Sequence, residues 1–210
     1  VTRPDPTQPL DTREAVRARY GEPNPRVVAK ELRRLDRHAR AFIALSPFLV
    51  IASADGQGRA DATPRGDAPG FVAVLDDTTL LIPDRRGNNR VDTLLNLTEN
   101  PHLGLVFMVP GINETLRVNG RARIVTDAAL LDPLAAQGKV PASGLLLTVE
   151  EVFFHCGKAM IRSELWNSER QVPRGAFPTL GRILADQLQD GLTVEASEQW
   201  IAESYRDRLY

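Results

Sequence analysis

From Phe48 to Cys156 the chain alternates short apolar runs with turn signals, and few helical patterns fall between consecutive runs. Phe48 to Ala54 is apolar, and Asp55-Gly56-Gln57-Gly58 is a hairpin signal. Arg59 to Arg65 returns with alternating alanines. Phe71 to Leu75 and Thr79 to Pro83 pair across Asp76-Asp77. His102 to Val109, Glu114 to Val125 and Gly144 to Cys156 complete six or more strands in hairpin-like order. A parallel, doubly wound sheet needs a crossover helix between most strands, so this order argues against one. The expectation is a mainly β fold with helices (α+β): a small antiparallel barrel with helices packed outside.

The flanks read as helices. Residues 1–10 hold three prolines and read as an extended lead-in. Asp11 with Glu14 resembles a capping box for a helix through Tyr20. Asn24-Pro25 reads as N-cap and first residue of a second helix. Val28, Leu32, Leu35, Ala39 and Phe42 lie on one face of it, and Ser46-Pro47 ends it. Val91, Leu94, Leu95 and Thr98 mark a short helix closed by Asn100-Pro101. Ala128 to Ala136 reads as a helix interrupted by Pro133. Three more helical patterns follow, around 158–165, 180–188 and 195–209. The implied layout is an arm over 1–45, a strand-rich unit over 46–156 and a helical extension over 157–210.

A 42% hydrophobic and 25% charged chain of 210 residues is that of an ordinary globular protein. The net charge of −1 gives no global case for nucleic acid or an anionic membrane. No apolar run reaches the roughly 18 residues that span a bilayer. The single cysteine, Cys156, rules out an internal disulfide and suits a reducing compartment, so the expected location is cytoplasmic. Cys156 itself reads as a buried small hydrophobe. No metal-ligand spacing surrounds His155-Cys156, no GxSxG elbow appears, and neither GxGxxG nor GxxxxGK[ST] occurs.

The chemistry concentrates between Ala62 and Phe107. Arg65 precedes Gly66, and the loop after Pro83 reads Asp84-Arg85-Arg86-Gly87-Asn88-Asn89-Arg90. A phosphate dianion is held by arginine forks, by backbone N–H groups and by a helix N-terminus. This loop offers all three, because a helix begins near Val91. Such Arg/Asn/Gly loops also occur as plain turns.

The stretch resembles the pyridoxamine 5'-phosphate oxidase-like flavoproteins, which bind FMN on a split β-barrel. The resemblance rests on Ala62-Thr63-Pro64-Arg65, Leu80-Leu81-Ile82-Pro83 and the turn Gly87-Asn88-Asn89-Arg90. It continues through the helix ending at Asn100-Pro101, the strand from Leu103 to Val109 and the strand containing LRVNGRARI, roughly residues 45 to 126. It implies an FMN-binding split β-barrel and a homodimer with FMN at the subunit interface. The phosphate would lie against Asn88, Asn89 and Arg90, with Arg65 and Arg90 as the main charges. Asn88 and Asn89 stand where many relatives have serine and arginine. Thr63, Pro64 and Arg65 on one strand, with Pro83 and Asp84 on its neighbour, would line the ring and ribityl chain. Thr115 falls where relatives often have a glutamine that reaches the flavin of the other subunit. The segment from Phe153 to Trp166 looks like the C-terminal segment of an uncharacterised subgroup. Within it Lys158, Arg162 and Trp166, each one helical turn apart, read either as two cations beside an aromatic platform for the flavin's phosphate or pyrimidine edge, or as a surface helix with a half-buried tryptophan.

The implied activity is an FMN-dependent oxidoreductase passing hydride or electrons to or from a small-molecule substrate. Relatives that oxidise pyridoxamine 5'-phosphate end with an arginine- and histidine-bearing segment. This chain has no histidine after His155, which argues against that substrate. The alternative is a non-catalytic protein that holds flavin, deazaflavin or haem. For haem, His38, His102 and His155 are the available axial ligands. A barrel that has lost its cofactor is a third reading.

Overall fold

The computed structural model describes residues 9–188 and 191–210; the expected lead-in lies, up to residue 8, outside them. Three helices come first: α1 (Arg13–Tyr20), α2 (Pro25–Ala29) and α3 (Arg37–Leu45). Four strands follow: β1 (Phe48–Ala54), β2 (Ala60–Gly66), β3 (Ala73–Val74) and β4 (Thr79–Asp84). Then come α4 (Asp92–Glu99), β5 (His102–Met108), β6 (Thr115–Val125), α5 (Ala128–Leu131) and β7 (Ser143–His155). The chain ends in α6 (Lys158–Ser163), α7 (Leu180–Leu188) and α8 (Val194–Asp207). No described helix is long and apolar enough to cross a membrane.

The strands form one antiparallel sheet in the order β2-β1-β5-β6-β7-β4-β3. The sheet does not close, because β2 and β3 stay at its two edges, and the architecture is a split barrel with helices outside. Period-2 alternation explains the inner face. Leu49 and Ile51 of β1, Leu105 and Phe107 of β5, Leu116 and Val118 of β6, and Leu145 and Leu147 of β7 are all buried together. Each such side chain contributes about 1.5–3 kcal/mol on burial. Ala39, Phe42 and Ile43 of α3 join this core, with Phe42 edge-on to Phe154 at 5.5 Å.

The long pair β6–β7 carries a bulge at Asn119/Gly120. A Cβ at Gly120 would lie 2.0 Å from the carbonyl oxygen of Thr148, so only glycine fits. The two strand prolines sit where a missing N–H is harmless. Pro64 is on the edge strand β2, and Pro83 lies past the end of β3, which pairs with β4 only at Leu80 and Leu81.

Several local expectations change. Thr12, not Asp11, caps α1, its hydroxyl accepting from the Ala15 N–H. The expected helix through Phe42 breaks in two. Asp36 caps α3 by accepting from the Ala39 N–H, which starts a new helix there. Upstream, Leu32 exchanges both backbone hydrogen bonds with Val152 and covers the part of β7 that β4 leaves unpaired. Leu35, Ala39 and Phe42 are therefore buried, while Val28 and Leu32 remain exposed. The helix expected over 128–136 narrows to α5 and a 3-10 turn at Asp132–Leu134, because Pro133 cannot extend α geometry. Cys156 is exposed rather than buried, since β7 ends at His155 and the chain turns there toward α6.

Candidate functional site

The loop between β4 and α4 is built on a firmly seated helix. Thr93 and Leu97 bury one face of α4. Asn96 donates to Ser53 Oγ on β1 at 2.9 Å, and Glu99 accepts from the Gly56 N–H of the β1–β2 hairpin at 2.9 Å. The N-terminus of α4 is thus held still while its first turn opens onto a cavity.

That N-terminus has no side-chain cap. The N-cap residue is Val91, which has no polar side-chain atom and adopts a left-handed φ of 49°. A β-branched residue in that region is strained. Asn89 is also left-handed, with φ 60°, and the Arg90 N–H donates to Asn88 Oδ1. The first-turn N–H groups of α4 carry partial positive charge and lack a side-chain acceptor, which suits an anion.

The cavity is about 790 Å³, within the usual range of roughly 300–1,000 Å³ for cofactor clefts. Its lining holds five cations, Arg65, Arg85, Arg86, Arg90 and Lys139, against three carboxylates, Asp61, Asp84 and Asp92, a net charge of +2. Most of the cations are engaged. Arg65 Nη1 donates to Asp84 Oδ1 at 3.0 Å, Arg85 Nε to Asp67 at 2.6 Å, and Arg90 Nε to Asp92 at 2.9 Å. Lys139 Nζ donates to the Tyr210 carbonyl. Among the described residues Arg86 has neither a hydrogen bond nor an ion pair.

Two cavity-lining residues carry buried polar atoms with no partner: Thr93 Oγ1 and Arg65 Nε. An unpaired buried donor or hydroxyl costs about 1–3 kcal/mol, so each calls for a partner that a ligand would supply. Burial pushes the Asp84 carboxyl above its ordinary value, although the Arg65 charge and hydrogen bond pull it down. Burial alone would raise Asp67 too. There the Ala68 N–H, the Tyr210 hydroxyl and Arg85 outweigh it, and the carboxyl lies below its ordinary value.

Of the residues expected around FMN, the cavity gathers Thr63, Arg65, Asp84, Asn88, Asn89 and Arg90. Pro64 is exposed on β2, Pro83 is buried, and neither lines it. Thr115, Lys158, Arg162 and Trp166 lie elsewhere on this chain. Lys158 and Arg162 do share α6, but Trp166 is not on that helix. Glu164 takes a left-handed φ of 50° and closes α6, and the Trp166 Nε1–H donates to the Ile112 carbonyl. The residues that sequence reasoning underweighted are Arg86, present in the loop but not given a leading charge, and Thr93, Lys139 and Tyr210. The last two come from segments far along the chain, with no local motif.

The residues present fit FMN. An uncapped helix N-terminus, a free arginine and a buried hydroxyl suit its phosphate, and the wall of Thr63, Arg65 and Asp84 offers polar atoms to the rest of the cofactor.

No curated protein matches the chain. Among solved structures, HupZ from Group A Streptococcus is 18% identical with a TM-score of 0.48, over 57% of this chain and 93% of its own. An FMN-binding protein from Syntrophomonas wolfei is 14% identical with a TM-score of 0.47, over 68% of this chain and 96% of its own. HutZ, the haem storage protein from Vibrio cholerae, is 14% identical with a TM-score of 0.40, over 58% of this chain and 94% of its own. The family model described as pyridoxamine 5'-phosphate oxidase matches residues 35–156, which run from just before α3 to just past the end of β7. The chain therefore belongs to the pyridoxamine 5'-phosphate oxidase family.

Proposed function

We propose that this protein is an FMN-dependent oxidoreductase that works as a homodimer on a small-molecule substrate other than pyridoxamine 5'-phosphate. The observation that carries the reading is the pairing of two orphaned buried polar atoms, on Arg65 and Thr93, with an uncapped α4 N-terminus in one positively charged cavity. Bound FMN would supply the hydride or electron transfer; the protein supplies binding, orientation and charge. The α4 N–H groups, the Thr93 hydroxyl and Arg86 would hold the phosphate. Arg65, set by Asp84, would direct a cation toward the remainder of the cofactor. The three histidines lie outside the cavity lining, which speaks against a haem ligated there.

The dimer is supported by the outer face of the sheet. Val50 pairs with Pro64 and Val106, and Phe48 with Met108, all pointing away from the core. Phe48 is 36% exposed and Pro64 is exposed. In this reading the second copy, not the first, contributes Thr115, Lys158, Arg162 and Trp166 to the cofactor, since none of the four lines the cavity of its own chain. Light scattering tests this; a flavin-loaded monomer at micromolar concentration contradicts it.

The catalytic part is tested with FMN-loaded protein and a nicotinamide hydride donor under anaerobic conditions. Bleaching of the oxidised flavin faster than for free FMN supports the oxidoreductase. Firmly bound FMN that no hydride donor reduces faster than free FMN makes the protein a flavin carrier.

A further inference from the structure

Tyr210, beyond the end of α8, is where the C-terminal helical pair reaches the cavity. Its hydroxyl donates to Asp67 Oδ1 at 2.8 Å, and Asp67 Oδ2 accepts from Arg85 Nε at 2.6 Å. The Asp67 side chain is only 4% exposed. Arg85 is fixed again by donating to the Leu134 carbonyl at 2.7 Å, and its guanidinium lies 5.9 Å from the Tyr210 ring centroid. Lys139 Nζ donates to the Tyr210 carbonyl at 2.9 Å. One residue is thus clamped by groups from three separate segments of the barrel, and Tyr210, Arg85 and Lys139 all line the cavity.

The rest of the pair holds mainly to itself. Gly181 of α7 lies so close to Glu198 of α8 that a Cβ there would come within 2.7 Å of it, and Thr179 hydrogen-bonds Glu198. Ile201 is buried but lies outside the barrel's core cluster. The connector over residues 168–180 is exposed throughout. An element with little apolar burial against the body opens at low cost, so a few polar contacts decide its position.

We propose that Tyr210, carried at the end of α8, forms a lid on the cavity, latched on the Asp67–Arg85 pair, whose opening together with α8 sets the rate at which a phosphorylated, flavin-sized ligand enters and leaves. The identity of that ligand rests on the FMN reading above; the latch does not. A gate of this kind changes both rates together and leaves the equilibrium nearly untouched.

Tyr210→Phe removes the hydroxyl and keeps the ring. In ligand-free protein, hydrogen exchange of the α8 amides is expected to accelerate roughly tenfold or more, with β6 unchanged. Unchanged exchange in α8 overturns the latch. In stopped-flow mixing with FMN, association and dissociation are both expected to rise about tenfold, with Kd held within about threefold. A rise in dissociation alone makes Tyr210 a direct ligand contact and overturns the gate, as do two unchanged rates. Failure of the wild-type protein to bind FMN would sink the cofactor reading, and the exchange measurement would still decide the latch.

Discussion

Arg65 Nη1 meets Asp84 Oδ1 at 3.0 Å inside the cavity, with the two side chains 22% and 18% exposed. The pair sets the sign of this part of the wall: Asp84 offsets a guanidinium that would otherwise stand alone. Asp84→Asn keeps an acceptor for Arg65 and raises the net charge of the lining from +2 to +3. FMN binding is expected to tighten about three- to tenfold, with the gain shrinking at high salt. Flavin-fluorescence titrations at two ionic strengths measure it. Arg65→Ala should act in the opposite sense.

The phosphate contact should fall on Arg86 more than on Arg90. Arg86 has no protein partner among the described residues, whereas Arg90 is 73% exposed and already spent on Asp92. Arg86→Ala is expected to cost about 1.5–3 kcal/mol, or roughly ten- to a hundredfold in FMN affinity. Arg90→Ala should change it by no more than about fivefold, as suits an exposed ion-paired residue. The same titration separates the two.

The β6–β7 bulge depends on a glycine. A methyl group at residue 120 would meet the Thr148 carbonyl oxygen at 2.0 Å, a backbone atom that cannot swing away. Gly120→Ala is expected to destabilise the fold by about 3 kcal/mol or more, read by urea denaturation.

Acid stability should depend on Asp67. Its carboxyl titrates below the ordinary 3.8, because the Ala68 N–H, the Tyr210 hydroxyl and Arg85 outweigh the upward push of burial. A carboxylate with a lowered folded-state pKa adds stability that is fully present above its unfolded value and lost as pH falls through the folded one. Asp84 runs the other way, its raised carboxyl favouring the folded state at low pH and losing that as pH rises. Asp67→Asn should therefore be about 1–2 kcal/mol less stable than wild type at pH 7, with the gap closing toward pH 3. Urea titrations across that range read the difference.

The strands were legible because period-2 alternation and turn residues both mark them. Asp55-Gly56-Gln57-Gly58 is the β1–β2 turn, and Asn100 ends α4 as expected. The split helix at 30–36 was not legible, because the i, i+3, i+7 spacing of Leu32, Leu35 and Ala39 also suits one helix. What breaks it is a tertiary bridge from Leu32 to Val152, 120 positions away in sequence. In the site, the loop from Asp84 to Arg90 stood out by its chemistry. Which of its arginines is left free depends on where Asp67, Asp84 and Asp92 fall in space. Lys139 and Tyr210 reach the cavity only through the fold, and no pattern near either announces it.

The most direct test of the cofactor site is the visible absorption spectrum of freshly purified protein, with the released chromophore identified by mass. A yellow protein that releases FMN at about one per chain is the predicted result. A Soret band, or a colourless protein that added FMN cannot reconstitute, would contradict it.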